Sequence, residues 1–171
     1  TTGTVDTKKG TGNLTNKTSD KVTNADGSSV ADTSKNTLDV NVNNPSVKVG
    51  TSGEHKETAA DGSSVADRTG VSAGIRENGV SLGGNVGRTT TDADGDSLKT
   101  DHKVGVDFGN EKSKITGTSS AEKTDKHEDG GHDKIGGSTT VGVSMDDDTA
   151  NLSAATSLNT EKKTVDGDSS K

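Results

Sequence analysis

Between Val71 and Phe108 small apolar residues alternate with polar ones: Val71, Ala73 and Ile75, then Val80, Leu82 and Val86, then Val104, Val106 and Phe108. A period of two is the signature of an extended strand with one face drier than the other. The runs are separated by Glu77-Asn78-Gly79 and by Asp92-Ala93-Asp94-Gly95-Asp96. Asn-Gly and Asp-Gly between alternating runs are strong hairpin signals, because both residue types tolerate positive φ. The stretch therefore predicts three antiparallel strands joined by tight turns.

The same plan recurs along the chain. Asp-Gly pairs fall at 26–27, 61–62, 94–95, 129–130 and 166–167, at intervals of 35, 33, 35 and 37 residues. Ala25-Asp26-Gly27-Ser28-Ser29-Val30-Ala31-Asp32 is repeated as Ala60-Asp61-Gly62-Ser63-Ser64-Val65-Ala66-Asp67, which points to duplication. A second set of turns lies midway, at Lys8-Lys9-Gly10, Asn43-Asn44-Pro45-Ser46, Glu77-Asn78-Gly79, Asn110-Glu111-Lys112 and Asp146-Asp147-Asp148. Each repeat is thus two strands and two turns. The repeats run over residues 1–35, 36–69, 70–103, 104–138 and 139–171, with the apolar-poor first one as a frayed cap. This predicts a single repeat array, an all-β antiparallel meander of about ten long strands.

Segments of about 12 to 16 residues lie between turns, enough for roughly 40 to 50 Å of strand. Natural strands average about half that, so breaks or bulges are expected at Gly50, Gly53, Gly136 and Gly137. An open sheet this long would leave reactive edges, so the meander is expected to close into a barrel or tube, or to stack on itself. Apolar residues gather toward the second set of turns, as in Leu38, Val40, Val47 and Val49, or Val141, Val143, Met145 and Leu152. Toward the Asp-Gly turns the strands become polar, as in Gly53-Glu54-His55-Lys56-Glu57-Thr58. Only Glu122 to His127 has helix-forming composition, and it carries no apolar stripe at helical spacing.

Composition makes this an unusual strand protein. Val, Leu, Ile and Phe make up 26 of 171 residues, aromatics are 1%, and Cys, Trp and Tyr are absent. Chains this poor in apolar residues are commonly disordered, so order here calls for a dense main-chain ladder, neighbouring copies, a membrane or adjoining domains. The net charge is −7 with the signs interspersed, which leaves no basic stripe for nucleic acid. The near-absence of aromatics removes a base-stacking platform as well. Without cysteine there is no disulfide framework and no thiolate metal site. No apolar run approaches the 18 residues of a membrane helix. The Thr-Thr-Gly-Thr start reads as an internal piece of a longer polypeptide.

Candidate chemistry is sparse. Asp92, Asp94 and Asp96 resemble a calcium loop, but Gly95 is fourth rather than sixth and Lys103 stands where the closing Glu belongs. Asp146, Asp147 and Asp148 concentrate charge on one turn. For both groups a solvated polar turn is the plainer reading, with calcium the only cofactor either could take. His127 and His132 flank one turn and could face each other as a zinc pair, with His55 and His102 in equivalent zones; solvated histidines are the plainer reading. Asn13, Asn16 and Asn151 begin glycosylation-type triplets, which arise by chance in a chain so rich in Asn, Ser and Thr. There is no nucleophile elbow, and Gly83-Gly84-Asn85-Val86-Gly87 lacks the Lys-Ser or Lys-Thr of a phosphate loop. No catalytic residue is expected.

Gly-Val-Ser-Ala-Gly at 70–74, Asn-Gly-Val-Ser at 78–81 and Thr-Thr-Asp-Ala-Asp-Gly at 90–95 are similar to the tandem hairpin tracts of large exported bacterial toxins, effectors and adhesins. Residues 69–109 carry the resemblance best and 139–171 less well. It implies export to the cell surface or outside, and a passive structural or interaction role. The partners expected are copies of the chain or adjoining domains. The competing expectation is a membrane-inserting β-barrel or pore-forming segment, although the apolar band is shorter than the 9 to 11 residues a spanning strand needs.

Overall fold

The computed structural model describes residues 1–128, 130–146, 148–163 and 169–170. The described residues contain no helix. They form β1 (Thr2–Asp6), β2 (Thr11–Thr23), β3 (Ser29–Asn41), β4 (Ser46–Thr58), β5 (Ser64–Arg76), β6 (Gly79–Thr91), β7 (Ser97–Gly109), β8 (Lys112–Lys126), β9 (His132–Asp146), β10 (Ala150–Lys163) and β11 (Ser169–Ser170). All belong to one antiparallel sheet whose spatial order is the chain order. Each strand touches only its neighbours in the sequence.

The Asp-Gly corners explain why the chain reverses where it does. In the first, the Asn24 N–H donates to the Ser28 carbonyl at 2.8 Å and the Gly27 N–H to the Asn24 carbonyl at 3.1 Å. This is a three-residue loop, a type I turn followed by a left-handed glycine. Gly27 has φ 88°, and Gly62, Gly95 and Gly130 lie at 91°, 91° and 88°. No other residue type has positive φ among the described residues. The aspartate therefore does not share the left-handed conformation expected from the Asp-Gly pair. It works through its side chain: Asp26 Oδ1 accepts the Ser28 N–H at 2.9 Å and the Ser28 hydroxyl at 2.7 Å. The duplicated octapeptide reproduces these distances at Asp61 and Ser63. Asp129, Asp147 and the Asp166-Gly167 corner lie outside the described residues.

Two expectations need correction. The sheet is open: β1 pairs only with β2, and β10 pairs with β9 and, at Lys162 and Lys163, with β11. The register supplies the reason. Rows such as Ser46–Arg76–Gly79–Gly109 run straight across the strands. A barrel needs a cumulative stagger between neighbours, and hairpins paired flush at their turns generate none. The strands also neither bulge nor break at the glycines. Gly50 stands opposite Thr37 and Ser72, Gly53 opposite Ser34 and Thr69, and Gly136 and Gly137 opposite Glu122 and Ala121 with the ladder continuous. The small side chains do not interrupt pairing because both main-chain rails of each inner strand are used, and every inner strand runs 13 to 15 residues. The apolar-poor N-terminal repeat is part of the sheet, with β2 paired to β3 along its full length.

A conventional core is missing. Ala66, 7% exposed, is the single buried hydrophobic residue among those described. Side chains thus contribute little interior, and the order of the molecule rests on the main-chain ladder and on cross-strand pairs, each of which contributes about 0.2–1 kcal/mol.

Candidate interaction surface

Residues opposed across an antiparallel ladder share a face. Following the register, every Val, Leu, Ile, Phe and Met within the strands β1 to β10 falls on the same face. One row runs Leu38–Val49–Ala73–Leu82–Val106–Ile115–Val143 from β3 to β9. The next, nearer the short turns, contains Val40, Val47, Ile75, Val80, Phe108 and Met145. Nothing covers them: Ile75 is 66% exposed, Leu82 50%, Phe108 51% and Leu152 81%. The opposite face offers nothing more apolar than alanine. It is built of Gly, Ser, Thr and charged residues, tied across strands by Arg68–Glu54 at 2.8 Å, Lys134–Glu122 at 2.9 Å and Arg76–Asp107.

The apolar face is graded along the strands. Three rows next to the short turns carry no charge. A mixed row follows, Ser34–Gly53–Thr69–Val86–His102–Ser119–Thr139. There Gly53 and Gly84 leave a shallow depression of about 410 Å3, bordered by Val71, Val86 and Val104. Beyond it lies a charged row, Asp20–Asp32–His55–Asp67–Arg88. Arg88 grips Asp67 through two bonds of 2.6 and 2.8 Å, holding the Asp67 carboxyl below its ordinary value. His55 Nδ1 lies 2.7 Å from Asp32 Oδ1 and Nε2 lies 3.3 Å from Glu57 Oε1. The hydrogen bond to Asp32, and then that to Glu57, raises the imidazole above 6.5.

The acidic turns are occupied by their own main chain. Asp92 Oδ1 accepts the N–H groups of Asp94 and Asp96 at 3.1 and 2.9 Å, and Asp96 Oδ1 accepts the Lys126 N–H at 2.6 Å. Asp146 Oδ1 accepts the N–H and hydroxyl of Thr149 at 3.0 and 2.5 Å. No set of three potential metal ligands converges among the described residues, Asp92, Asp94 and Asp96 included; Asp147, the middle member of the other acidic turn, lies outside them. His132 stands opposite Lys126 in the ladder, while the His127 ring reaches Asp133 at 3.5 Å. The register therefore does not bring the two histidines together. His102 lies on the apolar face opposite Val86.

One surface feature escaped the reading of the sequence. A hydroxyl row, Thr23–Ser29–Thr58–Ser64–Thr91–Ser97–Thr124, crosses seven strands of the polar face. Its signal is a Thr and a Ser six residues apart around each of three Asp-Gly corners. No family model, curated protein or solved structure matches the chain.

Proposed function

We propose that the chain is a non-enzymatic β-repeat interaction module of a larger exported protein, a scaffold whose apolar face is covered in use. The observation that carries this reading is the segregation of the large apolar side chains of β1 to β10 to one exposed face. The described sheet spans ten strands longer than two residues. At about 4.8 Å per strand and about six residues of band height, the strip offers roughly 900 Å2. A standard stable interface uses about 800 Å2 per partner. Exposed apolar patches of this size mark interaction surfaces. Acid–base catalysis has no support from the site: His102 borders the shallow apolar depression, but no carboxylate lines it, and a tuned acid–base pair needs two such groups held in an apolar setting.

A second reading, a membrane-inserting segment, is favoured by the division into an apolar face and a face of Gly, Ser, Thr and charges, as in barrel strands. The charged row at Asp20, Asp32, His55, Asp67 and Arg88 counts against it. One experiment addresses both. In detergent-free buffer the folded chain binds anilinonaphthalene sulfonate. Val106→Lys combined with Ile115→Lys removes most of that fluorescence without changing the far-UV circular dichroism. A folded chain that binds no dye overturns the docking reading, and release of entrapped dye from phosphatidylcholine–phosphatidylglycerol vesicles replaces it with the membrane reading.

A further inference from the structure

The apolar face is self-complementary about a line between β5 and β6. Opposed residues on these strands share that face. Ala73 with Leu82 and Val71 with Gly84 set small beside large, and Asp67 with Arg88 sets acid beside base. The shallow depression beside Gly84 straddles the same line, reaching from Gly53 on β4 to Val104 on β7. A two-fold axis laid along the strands at this line lowers β5 of a second copy onto β6 of the first and keeps every row at its own height. Each large side chain then comes down on the position of its small neighbour in the other copy.

We infer that the partner of this face is a second copy of the chain, stacked apolar face to apolar face about that axis. The inference rests on the reading of the chain as an interaction module and names its partner. Val71 of each copy enters the depression over Gly84 of the other, and Leu82 packs over Ala73. Toward the polar end, Asp67 of one copy meets Arg88 of the other, so the two intrachain pairs form a neutral cluster of alternating sign. Asp32 on β3 comes to lie over Ala121 on β8, in the same row. The same-face neighbours of Ala121 along β8 are Ser119 and Lys123. Asp32 therefore meets no acid even when the two sheets cross at the usual angle of about 30°.

Area and charge both suit this occupant. The strip of roughly 900 Å2 matches the about 800 Å2 that each partner of a stable interface supplies. Its uncharged rows form the middle of the interface, and the row of Asp67 and Arg88 forms a polar rim. A two-fold axis laid across the strands through Ala73 does worse. It stacks Val71 on Ile75 and Val104 on Phe108, large on large, and leaves Arg88 beyond the turns of the other copy. The arrangement along the strands is isologous and closed, so it stops at two copies.

The test is sedimentation velocity over a concentration series, on variants whose far-UV circular dichroism is unchanged. The wild-type chain sediments as a dimer that dissociates on dilution, and the anilinonaphthalene sulfonate bound per chain falls as the dimer forms. Arg88→Asp gathers only acids at the axis and Asp67→Arg only bases, so each is monomeric alone. Mixed one to one, they recover a dimer. Gly84→Val gives a readout independent of charge. A Cβ at Gly84 meets nothing closer than 3.5 Å within its own chain, so the sheet accepts it. It fills the space that Val71 of the second copy needs, and the variant is monomeric. Adding Val71→Ala to it restores the dimer. A wild-type chain that is monomeric throughout the series overturns the inference; if that monomer binds the dye, the interaction-module reading stands with a different partner. Single variants that stay dimeric, or a mixture that stays monomeric, overturn the two-fold stacking.

Discussion

Asp61 and Gly62 divide one turn between them. Gly62 accepts a left-handed backbone that costs an L-residue about 1–2 kcal/mol, and no neighbour would contact an added Cβ there, so the requirement is conformational alone. Asp61 supplies the carboxylate that binds the Ser63 hydroxyl and N–H, which holds its own pKa below 3.8. A depressed carboxylate stabilises above its unfolded value, and that contribution is lost as pH falls through the folded value. His55 has the opposite sign. Its raised value means that its contribution is complete below 6.5 and is lost as pH rises through the folded pKa. We predict that the His55 ring protons titrate by NMR with a midpoint above 6.5, and that Asp32→Asn returns the midpoint toward 6.5. A wild-type midpoint at or below 6.5 would remove the Asp32 contact from the account.

At the level of elements, the strands are interchangeable parts. Each meets only its neighbours, and the duplicated octapeptide puts the same turn before β3 and β5. Arrays with nearest-neighbour contacts gain stability by addition. Deleting residues 28–62 joins Gly27 to Ser63 and restores the octapeptide at the junction. It removes β3 and β4 and pairs β2 with β5 in the same facial phase. The shortened chain is expected to keep the wild-type circular dichroism per residue and to unfold with a smaller denaturant slope, in proportion to the surface lost. A coil spectrum would show that the array is not modular. This modularity was legible beforehand, because alternation marks the faces and Asp-Gly marks the reversals. The expected breaks at Gly50 and Gly136 were wrong for a local reason. A glycine between two paired neighbours loses side-chain contacts but keeps both main-chain bonds.

For the whole molecule, the sequence was least informative about closure. Alternation specifies which face a residue occupies, yet it carries no record of stagger, and stagger decides whether a sheet becomes a barrel. The uncovered face was legible only in part: apolar residues visibly gathered near Asn43 and Asn78, but their confinement to one side needed the register from β1 to β10. The acidic turns at Asp92 and Asp146 could not be told from ion sites by charge alone, because the amides their carboxylates accept become visible only in the folded turn.

The central claim is that a main-chain ladder, with scarcely any core, holds this sheet together. Residue-resolved amide hydrogen exchange in detergent-free buffer tests it most directly. The account predicts slow exchange along β3 to β9 that stops abruptly at the Asp26, Asp61 and Asp94 corners, with faster exchange along β1. Uniformly fast exchange from Ser29 to Asp146, in a chain soluble under those conditions, would contradict it.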